Sequence, residues 1–265
     1  MGAEVLIDRV HRKDMKAIST WAFSTFAFST TAFFTAQCAL IQTVPTRAAA
    51  VHADASGDFP ALREHEFHQH GNRWSIDIEY PELADADVFN LAVHRKLDSM
   101  VSEFKKGLPP ETADEDYPDY GSYLNGNYRA QVRKDGVVSL LLDYSIYVGG
   151  AAHPGGELAS INYDSNTHRL LALADLFRPK SRYIARVSEI AIRSLDQNEF
   201  ADTHAVHQGA GPVKSNFKVF TLTDTELVLH FQTYQVAAGA AGSQKVVIPL
   251  SSLKPLLQQR FCPEP

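Results

Sequence analysis

Histidine is the residue type in this chain whose placement first invites chemistry. His153 sits in the run Gly149-Gly150-Ala151-Ala152-His153-Pro154-Gly155-Gly156. Four glycines and a proline in one bend call for unusual backbone dihedrals or for the close approach of another group. A histidine held there is a candidate general base or metal ligand. No acidic or nucleophilic residue stands at a telling spacing from it, which favours a side chain that hydrogen-bonds the bend and holds its shape. A second group is Glu64-His65-Glu66-Phe67-His68-Gln69-His70. On a strand, His68 and His70 share a face with Glu64 and Glu66 while His65 points away. His204 and His207, spaced as on a helical turn, are further candidates. Neither set has the ligand count or spacing of a closed zinc site, and there is no HExxH. The expectation is a solvated edge strand and a polar loop. Gly239-Ala240-Ala241-Gly242-Ser243 lacks the Lys-Ser/Thr of a phosphate loop, and no G-x-S-x-G elbow occurs. The chain is therefore expected to be a binding protein, with no catalytic, cofactor-binding or metal-binding residues.

One loop has plainer physical content. Residues 108–120, LPPETADEDYPDY, carry Glu111, Asp114, Glu115, Asp116 and Asp119 with no base, beside Tyr117 and Tyr120. The carboxylates would speed encounter with a basic protein and the tyrosines could anchor it. A solvated loop is the commoner outcome for such a run. Asp116, Tyr117 and Tyr120 stand as candidate partner-binding residues.

Composition sets the limits. At 265 residues, 45% hydrophobic and 21% charged, the chain is long enough for a real core. A net charge of -6 and a pI near 6.0 argue against a nucleic-acid footprint and for a cationic partner. Residues 1–53 read as a secretory signal. Arg9, Arg12, Lys13 and Lys16 precede an uncharged stretch from Ala17 to Val44, and small residues follow at signal-peptidase spacing. Met15 is a candidate true start. The rival reading is an uncleaved single membrane anchor, since the apolar run is long enough to span a bilayer. Cleavage would leave Cys262 as the one remaining cysteine, with no intramolecular disulfide. The exported chain is expected in the periplasm or outside the cell, with a charge near -8 by the same counting.

The elements that would position these residues follow from periodicity. Residues 73–80 alternate as a strand burying Trp74, Ile76, Ile78 and Tyr80, ended by Pro81. Phe89, Val93, Leu97, Met100, Val101 and Phe104 fall at helical spacing after a cap at Asp85 or Asp87, and Gly107 suits a left-handed end. Tyr123–Lys134 and Val137–Val148 read as strands joined at Asp135-Gly136. The latter strand puts Leu140, Leu142, Tyr144 and Ile146 on one side and Leu141, Asp143, Ser145 and Tyr147 on the other. Extended pattern resumes at Leu158, Ser160 and Asn162. A second amphipathic helix is expected over 181–198, then a loop to about Lys214. A hairpin around Thr223-Asp224, a strand over 244–249 and a closing turn complete the chain. The expectation is an α+β protein with mainly antiparallel sheet and two amphipathic helices. The loose repeat of a helix followed by strands, at 85–148 and 181–249, is a hint of two small subdomains.

Three runs together resemble a known family. Tyr147-Val148-Gly149-Gly150-Ala151-Ala152-His153-Pro154, Asn162-Tyr163-Asp164 and Leu173-Ala174-Asp175-Leu176-Phe177 are similar to the Gly-Gly-Ala-His, N-x-D and L-x-D-L-F series of paired domains of unknown function 4163 and 3298. Phe217–Phe220, Leu227–Phe231, Tyr234–Ala237 and Val247–Pro249 resemble that module's closing strands. The pair occurs in the extracytoplasmic part of RsiV-type lysozyme-sensing anti-sigma factors and ahead of PdaC-type peptidoglycan deacetylases. Departures are an extra alanine before His153, and Ala238-Gly239 where the family has Pro-Tyr. The resemblance implies subdomains over 60–164 and 165–257, and a binding activity. Its partner would be lysozyme or another envelope enzyme, or alternatively peptidoglycan as an accessory module. Tyr147, Gly149, Gly150, His153, Pro154 and Tyr234 are the contact residues it suggests. About sixteen residues precede the apolar run and the chain closes after the last strands, so the expectation is the extracytoplasmic module alone.

Overall fold

A computed structural model of the chain describes residues 61–109, 121–197 and 202–264. The signal-like segment, Cys38, and Asp116, Tyr117 and Tyr120 lie outside the described residues. Strands β1 (Leu62–His70) and β2 (Trp74–Leu83) form an antiparallel hairpin. β2 runs on through Pro81 instead of ending there. Its pairing with the strand on the other side stops at Ile78, so Pro81 lies on a stretch with one open edge, where a missing N–H is tolerated.

Helix α1 (Asp87–Gly107) buries Phe89, Val93, Leu97, Met100 and Phe104, with Val101 only half-buried. Its caps differ from expectation. The N-cap is Ala86, with no side-chain bond. The chain leaves at Leu108 in extended conformation, so Gly107 is not a left-handed cap. Asp87 in the first turn and Lys105 and Lys106 in the last complement the helix dipole. α1 carries the chain across to β3 (Ser122–Val132), which pairs parallel to β2. β4 (Val137–Tyr147), β5 (Gly155–Asp164) and the short β6 (Arg169–Leu170) then add antiparallel, giving a six-stranded sheet in chain order.

The inner face of this sheet packs on α1. Ile76, Ile78, Leu124, Leu140, Leu142 and Tyr144 meet the buried stripe of the helix in one core. A second core forms around α2 (Tyr183–Leu195) and a three-stranded antiparallel sheet of β7 (Phe220–Leu222), β8 (Glu226–Phe231) and β9 (Gln244–Pro249). Leu173–Leu176 forms a short 3-10 turn ahead of α2. The stretch expected as a loop contains a third helix, α3 (Thr203–Gly209). It is started by Asp202, whose carboxylate accepts the His204 and Ala205 N–H groups at 2.9 and 3.2 Å. Seven residues are too few for an apolar period to show. The α+β class with mostly antiparallel sheets is as expected. Among the described residues no helix is long and apolar enough to cross a membrane.

Candidate partner-binding surface

The β4–β5 hairpin presents its outer face to two different neighbours. At one end lies the glycine-rich bend. At the other, the small sheet docks.

The bend begins where β4 ends at Tyr147, whose ring stacks on Tyr123 of β3 at 5.7 Å, the two residues being register partners. The Ala151 N–H donates to the Val148 carbonyl at 2.9 Å, closing a turn in which Gly150 takes φ 88, a conformation that needs no Cβ. The Gly149 N–H donates to Ser122 Oγ at 2.9 Å and ties the turn to the start of β3. His153 is exposed, and its Nδ1 bonds the Pro154 carbonyl at 2.9 Å. A carbonyl only accepts, so Nδ1 carries the proton and Nε2 is left as an acceptor in the neutral ring. Tyr234, 81 residues further along, places its hydroxyl 3.4 Å from that Nε2.

Tyr234 is 63% exposed and has φ 69. Its ring lies over Gly239, where a Cβ would stand 2.2 Å from ring atoms. The glycine that departs from the family pattern thus makes room for the tyrosine. The turn carrying Tyr234 is fixed to the large sheet by Gln232. That side chain donates to the Leu158 carbonyl at 2.6 Å and accepts the Leu158 N–H at 2.8 Å. Gln235 anchors the same turn from the other side, donating to the Gly209 and Asn216 carbonyls at 2.9 and 3.0 Å. The structure therefore brings His153 and Tyr234 together on the bend that Tyr147 opens.

The docked end uses residues on the face of β4 and β5 opposite the one that packs on α1. Ser139 and Asn162 are 1% and 3% exposed. The Leu222 N–H donates to Ser139 Oγ at 2.8 Å, and that hydroxyl donates in turn to Asn162 Oδ1. Asn162 Nδ2 donates to the Phe220 carbonyl at 2.9 Å, and the Phe220 N–H donates to Ser160 Oγ at 3.0 Å. Side chains thus take the place of a strand beside β7. Asp164, 1% exposed, accepts from Arg260 at 2.6 Å and Thr167 at 2.7 Å. Burial works against its charge, but the Arg260 and Thr167 hydrogen bonds outweigh it and hold the carboxyl down at about 2. The Arg260 and Arg133 guanidinium groups both lie over the Phe261 ring, at 4.8 and 5.8 Å. The sequence offers no signal for Ser139, Gln232 or Arg260. The N-x-D run holding Asn162 and Asp164 was the available signal.

The histidine cluster near the amino end has a structural place. His68 bonds Glu66 through Nε2 and Asp77 through Nδ1, both at 2.9 Å, and the Glu66 bond, then the Asp77 bond, raise its pKa. His65 and His94 lie 3.3 and 2.7 Å from Glu82, and both rings contact Tyr80, His65 stacked and His94 edge-on. His204 lies in the first turn of α3, and His207 is 4.0 Å from Asp196. Among the described residues no group of three or more His, Cys, Asp or Glu converges as a metal site would.

Residues 174–251 match the family model described as a protein of unknown function, DUF3298, and residues 68–155 match that of deacetylase PdaC. DUF3298 and PdaC deacetylase-family domains are thus both found in the chain. The peptidoglycan-N-acetylmuramic acid deacetylase PdaC of Bacillus subtilis (strain 168) is 28% identical over 193 residues, which are 72% of this chain and 40% of that relative. The chain therefore matches well under half the length of that enzyme. Among solved structures, a DUF3298 family protein of Pseudomonas aeruginosa PAO1 superposes with a TM-score of 0.56 at 17% identity, over 78% of this chain and 99% of that one. It has the same α+β fold. A DUF3298 family member of Bacteroides fragilis gives 0.49 at 16% identity, over 76% and 95%.

Proposed function

We propose that this chain is a non-catalytic binding module of the bacterial cell envelope, which recognises a cationic muralytic enzyme of the lysozyme type. The contact of His153 with Tyr234 carries the reading. It joins two loops far apart in sequence into one exposed aromatic and imidazole tip, held from behind by the Gln232–Leu158 bonds. Exposed tyrosines on a rigid scaffold are what a protein contact uses as anchors. The charge of -6 suits a basic partner. The likeness to a deacetylase named for peptidoglycan supports an envelope location, as does the signal-like segment. The finer resemblance to the RsiV-type lysozyme-sensing module and its 4163 domain supports the choice of partner.

The test is retention of a lysozyme on the immobilised protein at low and moderate salt. Binding should weaken by roughly tenfold in His153→Ala/Tyr234→Ala, the loss expected for one anchor cluster. No retention of any lysozyme or envelope protein overturns the reading. A second reading has its own observation. The Tyr123–Tyr147 pair offers flat ring faces beside the bend, which suits a glycan. Sedimentation with purified peptidoglycan, unchanged by added lysozyme, would select it.

A further inference from the structure

We propose a second binding site, for a small apolar molecule bearing one carboxylate, in the cavity between β5, the start of α2 and the segment leading into β7. The cavity holds about 230 Å³, room for about eight water-sized groups at the liquid share of each. Its walls are apolar: Leu171, Leu173, Ile184, Phe217 and Phe220. Phe217 and Phe220 are buried and belong to the second core, so these walls are pre-formed. The polar floor is already committed. Ser160 Oγ takes the Phe220 N–H, and Asn162 spends its amide on Phe220 and Ser139. Ser160 and Asn162 are thus tied into the seam, and most of the remaining lining is apolar, so an occupant meets mainly packing surface inside and its deep part is apolar.

The mouth is different. Lys214 and Lys218 both line it, four residues apart on one short turn, and neither has a carboxylate partner among the described residues. Asp175, on the neighbouring turn, is directed to the Ala172 N–H at 2.8 Å. Tyr183 and Ile184, which also line the cavity, are the first residues of α2, where the helix dipole is positive. An apolar chamber with two ammonium groups at its opening selects a molecule with an apolar body and an anionic head. A free fatty acid and a peptide chain ending in apolar residues share that chemistry. This site is separate from the bend and does not depend on the envelope-module reading.

Amide chemical-shift titration of the isotope-labelled chain tests it with three probes: octanoate, octanol and acetyl-leucyl-leucine. Octanoate, an apolar chain with one carboxylate, should shift Leu171, Ile184 and Phe217 saturably at millimolar concentration. Octanol, without the head charge, should bind roughly tenfold more weakly, as should octanoate to K214E/K218E. Ala174→Leu, at an exposed lining position, should block entry while the rest of the spectrum is kept. Tighter binding of the dipeptide than of octanoate would assign the site to a chain terminus, and the reverse to a free acid. No saturable shift by either acid up to about 10 mM overturns the proposal. Octanoate binding that ignores both the charge reversal and the filled cavity does so equally.

Discussion

The β4–β5 hairpin meets the carboxyl-terminal half of the chain at two places, and they are built on opposite rules. At the docked end, Ser139, Asn162 and Asp164 are buried, and each is satisfied by groups of the second half. At the bend, His153 and Tyr234 meet at 3.4 Å, in the open. A buried polar network has one good arrangement, because any other leaves a donor or acceptor unpaired. An exposed contact can let go and find water or a partner at little cost. The first end fixes how the halves sit. The second is free to exchange its internal contact for an external one.

The largest expected effect that would break this contrast is at Arg260. Arg260→Met leaves the Asp164 carboxylate buried and short of its main partner. It should cost about 2–4 kcal/mol in urea unfolding, the lower part applying because Arg260 keeps some contact with water. A loss below that of an ordinary surface ion pair would mean that the seam does not hold the halves. Asn162→Ala comes next, at about 2 kcal/mol, since it strands the Phe220 carbonyl and the Ser139 hydroxyl together. His153→Ala and Tyr234→Phe should each change stability by less than about 0.5 kcal/mol, as exposed positions do. If either matched Asn162→Ala, the bend would be a second structural lock and not an adaptable contact.

Acid sharpens the same comparison. Asp164 has a folded value of about 2 against an ordinary 3.8, so its contribution is fully present above 3.8 and is lost as pH falls through the folded value. His230 on β8 acts at milder pH. Burial, then the charges of Arg129 and Lys245, lower it from 6.5 to about 4. Between those values the unfolded chain binds the proton and the folded one does not, so stability should decline as pH drops from 6.5 to 4. His230→Gln should flatten that part of the curve and leave the part below 4 to Asp164. A curve unchanged by the substitution would remove His230 from the account.

The elements that carry strong periodicity were legible. α1 shows its stripe of Phe89, Val93, Leu97, Met100 and Phe104, and the turn at Asp135-Gly136 joins β3 and β4 as the dipeptide indicates. The pattern could not show that β2 and β3 pair in parallel across α1, since that is a contact between distant segments. Nor could it show the seam. Ser139 and Asn162 occupy the parity that normally faces water, and only the arrival of β7 on that face buries them. The bend itself was legible as a bend from its glycines. Its meeting with Tyr234 was not, because Gln232 sets that distance through bonds to Leu158, 74 residues away.

Gln232 has one more consequence. β6 covers only Tyr163 and Asp164 of β5, so much of that strand would otherwise be an open edge. An open edge is a template on which another chain can add a strand, the first step towards self-association. The carboxamide of Gln232 copies one peptide unit, giving Leu158 both of the bonds such a strand would bring. A single side chain thereby interrupts the row of peptide groups, and a second molecule finds no continuous run on which to begin a cross-chain ladder.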